Sequence, residues 1–165
     1  MALNAYLKIV ATQQGPIRGS VTQRGREDRI MVIAVSHEIV SPRDPVSGRP
    51  TGKRMHKPFT ILKELDRSTP LLYAILAHNE NIKSFELQFW TPGKDGFERQ
   101  HYTITLVNAN ISSIQFKMPN NRNPQFMRYN EYEEVAFTYQ KITWTWNDGG
   151  ITSEDDWEAP RGLAV

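Results

Sequence analysis

The stretch Glu131–Trp146 (EYEEVAFTYQKITWTW) restricts the possible folds more than any other part of the chain. Val135, Phe137 and Tyr139 fall on odd positions with Ala136 and Thr138 between them, so the large apolar groups share one face of an extended strand. After Tyr139 the parity changes, because Ile142, Trp144 and Trp146 are even, with Thr143 and Thr145 between. A one-residue slip turns an apolar face towards water. The pattern therefore requires an extra residue near Gln140–Lys141 or a passage into another sheet. A long aromatic strand that bends midway belongs in a barrel or sandwich, and nothing in it is catalytic.

With 165 residues the chain can bury a real core, and we read it as one domain, 1–160, with residues 161–165 as a flexible tail. Hydrophobic residues make up 39% and no apolar run reaches the ~18–20 residues of a membrane-spanning helix, so no membrane insertion is expected. Met1–Gln13 lacks the basic segment and long apolar core of a secretory leader. Any export is therefore expected to proceed without a cleaved signal peptide. The absence of cysteine excludes disulfides, thiolate catalysis and Cys-based metal sites, and fits a cytosolic origin. A net charge of +2 gives no support for nucleic-acid binding.

Along the chain, Ala5–Thr12 reads as a first strand, followed by a loop punctuated by Gly15, Pro16, Gly19 and Gly25. Ile30–Val40 is rich in β-branched residues and reads as one strand. Ser41–Pro58 holds four prolines and two glycines, which leave little room for helix or central strand, and its charges are almost all basic. It reads either as a solvated loop or as an arm that reaches a partner.

Phe59–Leu65 is a further strand. The only convincing helix spans about 70–79, with Ser68 or Thr69 as cap, Pro70 in the first turn, and Leu71, Leu72, Ile75 and Leu76 as its apolar stripe. Asn79 and Asn81 suit its end. Phe85, Leu87 and Phe89 alternate with polar residues, as do Tyr102, Ile104 and Leu106, and Gly93–Gly96 joins the two as a hairpin. Ile114, Phe116 and Met118 alternate in one more strand. The sum is a mainly β, antiparallel barrel or sandwich of two sheets with one flanking helix and a long extended loop over about 41–58.

Catalytic patterns are missing. His37, His56, His78 and His101 lie in four different elements, and no two have a metal-ligating spacing, so they read as structural. Ser20 is in no nucleophile elbow, and the Gly15–Gly25 loop has no phosphate-binding pattern. The acids at Glu131, Glu133 and Glu134, and at Glu154, Asp155 and Asp156, read as solvated faces. No cofactor and no metal is expected. A ligand- or nucleic-acid-binding barrel and a β-sandwich hydrolase are the alternatives. Against them stand aromatics confined to strand alternation and histidines scattered along the chain.

The ordered set AYLKI, GPIRGSVTQRGRED, IMVIAVSHEIVSPRDPVSGRPTGKRMHKPF, KELDRSTPLLY, HYTITLVNANISSI and EYEEVAFTYQKITWTWNDGGITSEDDW resembles the haemolysin-coregulated protein (Hcp) family, tube subunits of the bacterial type VI secretion system. The resemblance runs along nearly the whole chain, up to about Arg161, and implies a tube domain without a fused toxin. It also implies a non-enzymatic β-barrel with a flanking helix. Such subunits form homohexameric rings that stack into a tube, are expelled by a sheath beneath a spike, and carry effector proteins. The subunit would be cytoplasmic before firing and outside the cell afterwards.

A closed ring needs two different patches on each subunit. The candidate ring or stacking contacts are the basic residues Arg24, Arg26, Arg43, Arg49, Lys53, Arg54 and Lys57, with Glu154, Asp155 and Asp156 as an acidic surface for the arm of a neighbouring ring.

Overall fold

The computed structural model describes residues 1–157. The expected tail at 161–165 lies outside them, as do residues 158–160. The core forms between two antiparallel sheets. β1 (Ala5–Ala11) pairs along one side with β8 (Ile82–Pro92), and its other side is shared by β2 (Gly15–Ile17) and β3 (Ile30–Val32). β8 continues through the expected hairpin into β9 (Glu98–Val107), followed in the sheet by β12 (Lys141–Trp146) and β13 (Ile151–Asp156). The second sheet orders β10 (Asn110–Lys117), β11 (Tyr132–Thr138), β7 (Phe59–Glu64) and β4 (Ala34–Ser36). Barrel or sandwich is thus settled as a sandwich, since each sheet keeps its own two ends.

The parity change after Tyr139 marks a crossing. β11 lies in the four-stranded sheet and β12 in the seven-stranded one. Gln140 sits at the corner, its N–H donating to the Val107 carbonyl (3.0 Å) and its carbonyl accepting from Trp157 N–H (3.3 Å). The crossing lets Val135, Phe137, Tyr139 and Ile142 all point inward. Phe85 holds the centre, edge-on to Phe59 (5.8 Å) and to Phe137 (5.0 Å), the tilted geometry that aromatic quadrupoles favour.

Three expectations need correction, and the expected long extended loop gains detail. Ile30–Val40 is three pieces, β3, β4 and β5 (Ile39–Val40), in three different sheets. The reason is a second parity change: Ile30 and Val32 are buried against β1, whereas Val35, on an odd position, packs opposite Ile61 of β7. The proline-rich stretch is an ordered ribbon: β5 pairs with β6 (Met55–His56), and Arg43 bridges Pro50 nearer the tip.

In β10 only Ile111 is buried and Ile114 partly so. Phe116 is 51% exposed and Met118, just beyond the strand, 61%, because the chain runs on past the core. The helix α1 spans Thr69–Ala77, with Leu72 and Ile75 buried and Leu71 exposed. No Ser68 side chain caps it. Asp66 accepts from Ser68 N–H (2.9 Å), and Thr69 Oγ1 accepts from Asp66 N–H (3.2 Å), which satisfies the first turn reciprocally. Asn79 ends it at φ 51°, as a left-handed stop residue should.

Candidate assembly surfaces and the root of the arm

The ribbon from Ile39 to His56 projects from the sandwich as an arm. Its tip is ordered by Asp44, whose carboxylate accepts from the backbone N–H of Ser47 (3.0 Å) and whose own N–H donates to the Arg49 carbonyl (2.9 Å). Val46, at the tip, is 93% exposed, and the Arg43 and Arg49 side chains lie on the same short ribbon. Lys57 pairs at the surface with Glu38 (2.9 Å). Lys53 lies 5.8 Å from the Trp157 ring.

Arg54 differs. Its guanidinium grips Asp155 of β13 through two bonds, Nε–H to Oδ2 (2.5 Å) and Nη2–H to Oδ1 (2.7 Å), and donates once more to the Asp156 carbonyl (3.2 Å). Behind that fork Asp155 Oδ2 meets His56 Nε2 (2.7 Å), His56 Nδ1 meets the Tyr139 hydroxyl (2.7 Å), and the same hydroxyl meets His37 Nε2 (2.7 Å). Trp157 covers the relay, stacked on His56 and donating from Nε1 to the Tyr139 carbonyl (2.5 Å).

The Arg54 bond, and then that of His56, hold the Asp155 carboxyl below its usual range against the opposing effect of burial. Burial, and then the nearby Asp155, keep the Tyr139 phenol protonated. Burial, followed by the proximity of His56, lowers the His37 imidazole from its ordinary value. Histidines far apart in sequence thus converge on one hydroxyl, which linear spacing does not reveal.

The other candidates divide. Glu154 pairs with Lys141 (2.8 Å) across the hairpin, and Asp156 accepts from Gln140 (3.2 Å). Arg24 is exposed on the loop after β2, whereas Arg26 is 8% exposed. The Arg26 guanidinium lies between the Tyr6 ring (4.7 Å) and the Trp90 ring (4.5 Å) and pairs with Glu98 (2.7 Å), so it pins the loop to the sheet. That loop also closes through Gly19, where a Cβ would stand 2.2 Å from the Arg29 carbonyl oxygen.

Glu133, read from sequence as solvated, is fully buried and bonded to Lys63 (2.5 Å) and Thr69 (3.0 Å). Its odd parity, shared with Val135 and Phe137, was the available signal. Among the described residues no group of three or more His, Cys, Asp and Glu side chains is arranged to hold a metal ion.

The outer face of the four-stranded sheet carries a groove of about 590 Å³, with Leu62 and Tyr132 on its floor, Phe126 and Tyr129 at its side, and Glu64 and Glu134 beside them. Phe126 and Tyr129 are themselves exposed, so this apolar surface is open, whereas exposed Phe116 shares the opposite face of the sheet with Glu133.

Comparison with known proteins identifies the family. The family model described as type VI secretion system effector, Hcp, matches residues 6–146. The chain belongs to the Hcp family. A relative from Pseudomonas aeruginosa PAO1, named major exported protein, is 40% identical over 97% of this chain and 98% of its own length. A solved Hcp structure superposes with a TM-score of 0.88 at 31% identity, covering 95% of this chain and 99% of that one. Hcp1 from E. coli EAEC 042 gives a TM-score of 0.84 at 33% identity over 94% and 99%. The chain thus shares the fold of these Hcp structures, an antiparallel sandwich with one flanking α-helix among the described residues.

Proposed function

We propose that this Hcp protein is a tube subunit of a type VI secretion machine. It closes into a hexameric ring, rings stack into a hollow tube, and a contractile sheath expels the tube beneath a spike with effector proteins in its lumen. The subunit waits in the bacterial cytoplasm and leaves the cell without a cleaved signal peptide. In this role it is structural and has no enzymatic activity of its own.

The observation that carries the reading is the surface of the sandwich. β13 and β4 each end a sheet, and the apolar groove with Phe126 and Tyr129 leaves a further patch uncovered in a single chain. Ends of sheets and apolar patches are what a heterologous, ring-closing contact covers. Two different patches on one subunit permit closure without exhausting either.

Arg43, Arg49 and Lys53 are proposed as the stacking contact, facing acids on the next ring. Arg54 and Asp155 are bonded within one chain, so their part in stacking is to hold the arm out. Light scattering with negative-stain imaging tests the ring: particles of about six times 19.0 kDa are expected. A monomer across the accessible concentration range removes the reading. For the stack, an Arg43→Ala, Arg49→Ala, Lys53→Ala variant that keeps Arg54 should form rings but not tubes, and undiminished tubes would acquit the arm.

A further inference from the structure

The relay at the root of the arm accommodates a limited number of protons, and this follows from its geometry alone. Asp155, already held by Arg54, accepts only, so His56 Nε2 carries a hydrogen. When His56 is neutral its Nδ1 accepts from the Tyr139 hydroxyl, and the Tyr139 oxygen accepts from His37 Nε2–H. Every bond is then made with both imidazoles uncharged. One added proton fits in either place. On His37 it occupies Nδ1 and leaves the relay untouched. On His56 it reverses the Tyr139 hydroxyl, which then donates to His37 Nε2 in the other tautomer.

A second proton does not fit. Both rings would then point N–H groups at one oxygen from 2.7 Å, and the phenol hydrogen would have no acceptor in the relay. The charges facing the relay make this worse on one side and ease it on the other. Arg54 and Lys53 on the arm add positive charge, Asp155 and Asp156 on β13 oppose it, and the exposed Lys57–Glu38 pair lies alongside.

We propose that this relay is a proton-counting latch: it fastens the root of the arm to Tyr139 while at most one of the two imidazoles is protonated, and loosens it there when both are, with Arg54 still holding Asp155. The latch lies within one chain, so it holds whether or not the chain stands in a ring. Its partners come from four separate parts of the fold, Asp155 of β13 being one. His37 follows β4, Tyr139 stands at the sheet crossing, and Arg54 with His56 belongs to the arm. Protonation therefore loosens the β5–β6 ribbon at the Tyr139 hydroxyl, at the edge of the core, and leaves the Arg54–Asp155 fork in place.

Amide hydrogen exchange read by mass spectrometry on the full chain tests this, comparing about pH 7.5 with about pH 5 after correction for intrinsic rates. In the unsubstituted protein the amides of residues 39–40 and 55–57 should lose protection by on the order of tenfold at the lower pH, while the β8–β9 hairpin keeps its own. His37→Gln, which donates to Tyr139 without titrating, should hold the ribbon protected at both values. Tyr139→Phe should leave it equally unprotected at both. Constant protection in the unsubstituted protein would overturn the latch. So would a loss spread over the whole chain, an unaltered acid response in His37→Gln, or full neutral-pH protection in Tyr139→Phe.

Discussion

Lys63 and Glu133 stand opposite one another on β7 and β11, both fully buried, at positions where the alternation calls for apolar groups. Asp66 lies 3.2 Å from the Lys63 ammonium, and Thr69 bonds both partners, so the Lys63 charge is met by protein groups, while Glu133 Oε2 is buried without a hydrogen bond. Removing one partner strands the other without compensation. Lys63→Met alone should cost about 3–5 kcal/mol in denaturant unfolding, and Lys63→Met with Glu133→Leu should recover most of that. Arg26 makes a second test at this scale. Arg26→Ala loses two ring contacts and an ion pair, and a loss of about 2 kcal/mol is expected. Arg26→Lys should restore only part, because an ammonium lacks the planar face that lies against Tyr6 and Trp90.

Among the elements, the join between β11 and β12 is the most demanding. Deleting Gln140 would join two alternations in one parity and turn Ile142 and Trp144 away from the core, so circular dichroism should show no native fold. Gln140→Ala, which keeps the residue count and the backbone bonds to Val107 and Trp157, should fold. This break in alternation was legible in the sequence because two aromatic runs met out of phase. The break in Ile30–Val40 was written in the same code, yet each run was too short for the change of phase to stand out. The arm was legible as proline-rich and basic. That its two limbs pair as a ribbon was not, because the β5–β6 ladder holds only two residue pairs, far from the Asp44–Gly48 turn at the tip.

For the whole molecule, pH dependence joins these pieces. His37 is held below its ordinary value of 6.5, so the unfolded chain takes up its proton first. Its contribution to stability is complete above about 6.5 and is lost as pH falls from there through the lower folded value. Asp155, also lowered, contributes above its ordinary 3.8 and loses that contribution as pH falls through its depressed value. The melting temperature should therefore decline in two steps on acidification. His37→Gln should flatten the first, and Asp155→Asn should reduce the second, to which Glu27, Asp44 and Glu80 also contribute, from a lower neutral starting point.

By itself the sequence determined the mainly β class, the strands with strict alternation, the hairpin at Gly93–Gly96, the break in alternation at Gln140–Lys141 and the family, all of which are written in local periodicity or in ordered segments. That the break is a sheet crossing and not a bulge was decided by the structure. Only the tertiary structure decided that Glu133 is internal, that Arg26 anchors a loop, and that His37, His56, Tyr139 and Asp155 form one relay. Those facts depend on residues up to 102 positions apart meeting in space, and side-chain periodicity fixes which face a residue takes but not what it meets there.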